Sequence, residues 1–162
     1  IEGRARGPEY VHTVVSCYKE AIASVLDGTF TEEKKDAWDE RLATVFNRGF
    51  WDGYYQGQTI GEWNKNYGSC ATEKKVLVGK VVKYFSKLGV AEVAVEASEF
   101  GVGDKLLVTG NATGALWLTA DEIRYDLKPV ERALQRQRVS IPVPEKVRPN
   151  DKLYRIDIVN PE

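Results

Sequence analysis

Phe46-Asn47-Arg48-Gly49-Phe50-Trp51-Asp52-Gly53-Tyr54-Tyr55-Gln56-Gly57 separates a helix-patterned part of the chain from a strand-patterned part. Five of these twelve residues are aromatic, three are glycine, and one is arginine. Glycine at every fourth position ends a helix, at a cost of about 1 kcal/mol each relative to alanine, and opens backbone conformations closed to other residues. The segment therefore reads as a compact loop that gathers rings and presents Arg48. Two roles are open to it. One is a structural clasp between a helical region and a strand-rich region. The other is a surface that stacks a ring or base on Trp51, Tyr54 and Tyr55, with Arg48 placed for a phosphate or carboxylate.

N-terminal to this loop the apolar residues repeat at helical spacing. Pro8 suits a first helical position, Val11, Val14, Val15, Tyr18, Ile22, Val25 and Leu26 fall on one face, and Gly28 ends the run. Thr31 caps a second helix whose Glu32 and Glu33 meet the positive end of its dipole. Trp38, Leu42, Val45 and Phe46 form its expected buried stripe. A link this short makes an antiparallel helix pair. About 40 residues is the size limit for folding without staples, so the pair is expected to dock on something larger.

C-terminal to the loop the period changes. Residues 58–74 read as a polar connector, and residues 75–162 as a β domain. Runs at 76–85, 90–97, 105–109, 115–125, 139–143 and 153–159 alternate or are rich in β-branched residues. Ala91, Val93 and Val95 share one face, with Glu92 and Glu96 on the other. Gly103-Asp104-Lys105-Leu106 and Asn150-Asp151-Lys152-Leu153 echo each other as turns entering strands. The expectation is an α+β chain: an antiparallel helix pair with a Gly/aromatic clasp over 1–57, then a small closed six-stranded antiparallel β-barrel, which would leave no exposed sheet edge.

Composition bounds the chemistry. The 162 residues carry a net charge of −1, with 43% hydrophobic and 29% charged residues, as in an ordinary globular chain. Residues 1–64 hold 7 basic and 11 acidic side chains, a balance of −4; residues 65–162 hold 16 and 13, a balance of +3. That excess is too small to argue for nucleic acid on charge alone. No apolar run is long enough to cross a membrane, no signal-peptide pattern opens the chain, and two cysteines make no disulfide framework, which points to the cytoplasm. The absence of methionine leads to the expectation that the polypeptide is a tail separated from its beginning.

Catalytic groups are sparse. His12 is the only histidine, and Cys17, five residues on, points elsewhere on the same helix, so a Cys–His hydrolase has little support. Cys70 stands close before Lys74 and Lys75, with a plain exposed thiol as the simpler reading. No phosphate-binding glycine loop or dinucleotide fingerprint occurs. Arg132, Arg136 and Arg138 flank Gln135 and Gln137, as a basic loop for RNA or as a solvated connector. No metal and no cofactor is expected, and the residues alone do not make a convincing enzyme.

The order of the motifs carries a resemblance. Ile1-Glu2-Gly3-Arg4, Pro8-Glu9-Tyr10-Val11, Tyr18-Lys19-Glu20-Ala21, Phe46-Asn47-Arg48-Gly49-Phe50 and Gly53-Tyr54-Tyr55 together resemble peptidase family U32, the collagenase-like peptidases. The opening tetrapeptide, otherwise readable as the remnant of a clotting-protease cleavage site, is native on this reading. The resemblance implies a catalytic, barrel-like domain before residue 1 as the partner of this chain. That domain carries the signature cysteines, and in some relatives these hold an iron–sulfur cluster for hydroxylating RNA bases or quinones. Glu2 and Arg4 would lie at the edge of its active site. The strand-rich part is similar to the second domain of elongation factor Tu, through Val78-Gly79-Lys80-Val81, Val90-Ala91-Glu92-Val93, Val102-Gly103-Asp104, and Val147-Arg148 with Asp151-Lys152-Leu153-Tyr154. Together these imply a non-catalytic C-terminal accessory module that recognises a protein or peptide substrate or a small ligand, with an RNA-binding module for tRNA or rRNA as the alternative.

Overall fold

A computed structural model describes residues 1–50, 57 and 68–159. The chain divides into two units, Ile1–Glu73 with Val159–Glu162, and Lys74–Ile158. The first holds helices α1 (Pro8–Leu26) and α2 (Glu32–Thr44). Pro8 opens α1, as its missing N–H predicts. The helix ends in a Schellman arrangement: Gly28, at φ +66°, donates to Val25 O, and Thr29 N donates to Ser24 O. The Thr31 hydroxyl then accepts from Lys34 N at 3.3 Å, capping α2.

The two helices are tied by one polar knot. Glu20 accepts from the Trp38 indole N–H at 3.0 Å and from the Arg41 guanidinium at 2.5 Å. Val14 and Cys17 of α1 are buried. The expected stripe of α2 is only partly realised: Val45, just past the helix end, is buried, while Trp38, Leu42 and Phe46 keep intermediate exposure.

The second unit is built from ten strands: β1 (Glu73–Phe85), β2 (Val90–Val95), β3 (Phe100–Gly101), β4 (Lys105–Gly110), β5 (Gly114–Thr119), β6 (Arg124–Tyr125), β7 (Lys128–Pro129), β8 (Arg132–Ala133), β9 (Arg138–Pro142) and β10 (Lys152–Ile158). Eight of them form one antiparallel sheet in the order β5-β4-β10-β1-β2-β9-β6-β7, and β3 pairs with β8 separately. The closed six-stranded antiparallel barrel expected from the sequence is therefore not what forms. The sheet has two ends, β5 and β7, and its likeness to elongation factor Tu is not supported. The six apolar runs were counted as the whole sheet, but β3, β6, β7 and β8 are two-residue strands held by backbone pairing, without an alternating pattern to announce them.

Alternation places the core. Ala91, Val93 and Val95 of β2, Val139 and Ile141 of β9, and Leu153 of β10 are all buried with Phe100, Leu106 and Ile123 in one cluster. Burial of this kind stabilises by about 25 cal/mol for each Å² of apolar surface removed from water.

The two echoing turns have the same architecture. Asp104 N donates to Gly101 O at 3.2 Å while Gly101 N donates to Asp104 Oδ2 at 2.7 Å. Asp151 N donates to Arg148 O at 3.1 Å while Arg148 N donates to Asp151 Oδ2 at 2.7 Å. Gly103 N donates to Ala120 O, and Ala120 N to Asp104 O; Asn150 N donates to Val81 O, and Val81 N to Asp151 O. Each is a bulge whose first residue is left-handed, Gly103 at φ +89° and Asn150 at φ +72°. Asp151 is the more enclosed of the two aspartates and also accepts from the Thr113 hydroxyl at 2.5 Å.

Candidate functional site

The helical unit contains a cleft of about 320 Å³ between the start of α1 and the segment following α2. Its floor is apolar, formed by Val14, Leu42 and Val45. Four rings, Tyr10, Tyr18, Phe46 and Phe50, stand around it. Three charged side chains, Glu2, Arg6 and Arg48, line it as well, and Asn47 and Gly49 complete the lining. The Arg6 guanidinium lies over Phe46, 3.4 Å from the ring centroid. That contact joins residues forty positions apart and holds Arg6 at the cleft.

The loop after α2 is shaped by Asn47. Its side-chain N–H groups donate to Ala43 O at 3.3 Å and Val45 O at 3.0 Å, and its Oδ1 accepts from Gly49 N at 3.0 Å. The Asn47 carbonyl accepts from Cys70 N, and Ala43 O accepts from Thr72 N. These bonds satisfy carbonyls that the end of α2 leaves open. Asn47 is thus occupied in holding the chain, while its neighbour Arg48 lines the cleft.

Of the residues singled out in the sequence, Glu2 and Arg48 are brought together here. Arg4 does not line the cleft; its backbone N–H donates to Glu2 Oε1 at 2.5 Å. Trp51, Tyr54 and Tyr55 lie outside the described residues. Arg132, Arg136 and Arg138 belong to the other unit, around the β8–β9 turn where Arg136 is left-handed at φ +73°. Arg132 pairs with Glu99 at 3.8 Å and Arg138 with Glu92 at 3.9 Å, so two of the three are partly neutralised. Sequence reasoning missed Arg6 as a cleft residue. It precedes Pro8 outside any periodic run, and nothing local links it to Phe46.

Cys17 does not suit an iron–sulfur cluster. Cys17 is buried in the hairpin with its Sγ 4.0 Å from Trp38 O, and burial pushes its thiol pKa up, against the thiolate that a metal requires. Among the described residues no group of three or more His, Cys, Asp or Glu is placed to hold a metal ion. No helix among them is long and apolar enough to cross a membrane.

Comparison with known proteins sets this cleft in context. Residues 1–65 match the model of peptidase family U32. A Porphyromonas gingivalis protein named Collagenase is 61% identical over 157 residues, covering 97% of this chain and 38% of that protein. A Methanocaldococcus jannaschii protein named as an uncharacterized protease is 32% identical over 161 residues, covering 95% of this chain and 38% of that protein. The chain thus spans well under half the length of these relatives. The tRNA hydroxylation protein P of Haemophilus influenzae is 30% identical over 108 residues, 65% of this chain and 22% of that protein. The solved C-terminal domain of a candidate U32 peptidase from Geobacillus thermoleovorans superposes with a TM-score of 0.47 at 20% identity, covering 49% of this chain and 90% of the domain. Matched by the family model over its first 65 residues and by curated relatives along nearly its whole length, the chain belongs to peptidase family U32.

Proposed function

We propose that this chain is the non-catalytic, C-terminal accessory module of a U32-type enzyme, with α1 as the coupling to the catalytic part and the remainder serving recognition of substrate or ligand. One observation carries the reading. Val15, Tyr18, Ile22, Val25 and Leu26 run along one face of α1, and all are 44–81% exposed, while Val14 and Cys17 of the same helix are buried against the hairpin. A helix apolar on two faces is built to be covered on both. The U32 relatives are much longer than this chain, and that length is available to cover the second face.

The test uses Ile22→Asp with Val25→Asp in two contexts, the full-length enzyme and this chain alone. Burying two such side chains contributes about 3–6 kcal/mol. In the full-length enzyme the pair of substitutions lowers the thermal midpoint and activity together. In the isolated chain it leaves stability unchanged and improves solubility. Full-length enzyme that tolerates both changes sinks the proposal.

A second reading, an RNA-binding module of a U32-type RNA-modifying enzyme, draws on the relative named for tRNA hydroxylation. Retention of tRNA by the isolated chain at low salt, weakening steeply as salt rises, would favour it; no retention at low salt removes it.

A further inference from the structure

We propose that the cleft of the helical unit is a binding site for a planar ring carrying an anionic oxygen group. This goes beyond the accessory-module reading, with which it shares one residue, Tyr18, at the border between the cleft and the exposed face of α1. The argument starts from the arginines. Arg41, Arg124, Arg132, Arg138 and Arg155 each pair with a carboxylate. Arg4, Arg6, Arg48, Arg136 and Arg148 make none among the described residues, and of these five only Arg6 and Arg48 line the cleft, where they stand together.

Arg6 is moreover laid flat on Phe46, at 3.4 Å. Stacking occupies the face of a guanidinium and leaves its N–H rim available, and a stiffened rim loses little freedom when it forks onto two oxygens. Tyr10, Tyr18 and Phe50 line the same cleft. These rings offer faces for a planar body, and the cleft volume is at the lower end of that of small-molecule sites. An anion at the guanidinium rims and a ring against the aromatic walls fill both halves of the cleft at once. A cation finds two positive charges against the single carboxylate of Glu2, whose Oε1 already accepts from Arg4 N.

The chemistry is shared by an aromatic amino acid with a free carboxylate and by a nucleoside monophosphate, so the test separates them. The whole chain, labelled for amide NMR, is titrated with N-acetyl-phenylalanine and its neutral amide, and with uridine 5′-monophosphate and neutral uridine. At least one acid shifts the amides of Arg6, Tyr10, Phe46 and Arg48, and binds about tenfold or more tighter than its neutral counterpart. The tighter of the two acids identifies the source. Arg48→Met weakens binding by about tenfold while the amides of the sheet stay in place, and because Arg48 is exposed the variant keeps its fold. Arg6→Lys, which keeps the charge and loses the planar fork, also binds more weakly. Equal binding of acid and neutral partner, shifts confined to the sheet, unchanged binding by Arg48→Met, or no shift at millimolar probe in folded protein each overturns the proposal. An enzyme that loses coupling on the α1 substitutions yet ignores all four probes refutes this inference alone.

Discussion

Replacing Asp151 tests how the entry to β10 is held. The carboxylate is 6% exposed. Its Oδ2 accepts from Arg148 N at 2.7 Å and from the Thr113 hydroxyl at 2.5 Å, and Thr113 Oγ1 in turn accepts from the Arg148 guanidinium at 3.2 Å. Its Oδ1 sits so close over Gly110 that a Cβ there would lie 1.8 Å away. Hydrogen bonds to a charged group contribute about 1.5–3 kcal/mol each, so Asp151→Ala, which removes two, costs about 3 kcal/mol or more. Asp151→Asn keeps one oxygen for the same donors and costs about 1–2 kcal/mol, the loss of charge assistance. Thr113→Val combined with Asp151→Ala gives a coupling of about 1–2 kcal/mol in a double-mutant cycle. The assay is urea unfolding followed by circular dichroism, read as a shift of midpoint at constant slope. A loss below about 0.5 kcal/mol for Asp151→Ala, the range of an indifferent surface change, would refute the assignment. Additive single effects would show that Thr113 and Asp151 do not act together.

Two further outcomes are expected. The Arg41 guanidinium bonded to Glu20 holds that carboxyl below its ordinary pKa, with the Trp38 indole N–H adding to the effect and slight burial opposing it. A lowered pKa in the folded chain means stabilisation that is complete above the ordinary carboxylate range and lost as pH falls through the folded value. The pair is about half exposed, so the contribution stays under about 1 kcal/mol; Glu20→Gln should remove this part of the acid sensitivity, and a carboxyl NMR titration of Glu20 with an ordinary midpoint would contradict it. At the tip of the β6–β7 hairpin, Asp126 and Leu127 both have positive φ, and Leu127 is 87% exposed. Leu127→Gly should therefore stabilise by about 0.5–1 kcal/mol, since leucine is strained in the left-handed region and gains no burial there; a lower thermal midpoint for the glycine variant would count against the turn assignment.

The helices were legible because their signals are local: proline, glycine, a threonine cap and a 3.6-residue period all point the same way in Pro8–Leu26 and Glu32–Thr44. The inward residues of β2 followed from alternation. In β10 alternation alone does not locate the core. Tyr154, Ile156 and Ile158 share a face, yet the fully buried residue of the strand is Leu153, on the opposite face. Apolar spacing identifies a face but does not say which face meets the core. The open sheet was missed for a related reason, because pairing order is a long-range property. The cleft itself was not legible. The sequence set Arg48 beside the rings of its own loop and Glu2 at the edge of a catalytic part's active site, whereas Glu2, Arg6, Tyr10 and Arg48 share one cleft only once the hairpin brings the start of the chain beside Phe46.

The position of β10 governs how the strand-bearing unit comes to exist. β1 with β2, and β4 with β5, are hairpins of neighbouring residues and close quickly. Between those two blocks lies β10, which follows both of them in sequence, joins β4 through Leu153 and Val108 and meets β1 where Asn150 and Asp151 exchange bonds with Val81. During synthesis the unit therefore waits as two separate ribbons with unpaired inner margins, exposed to chaperones and to mispairing, until residues 152–158 are released and zip them into one sheet.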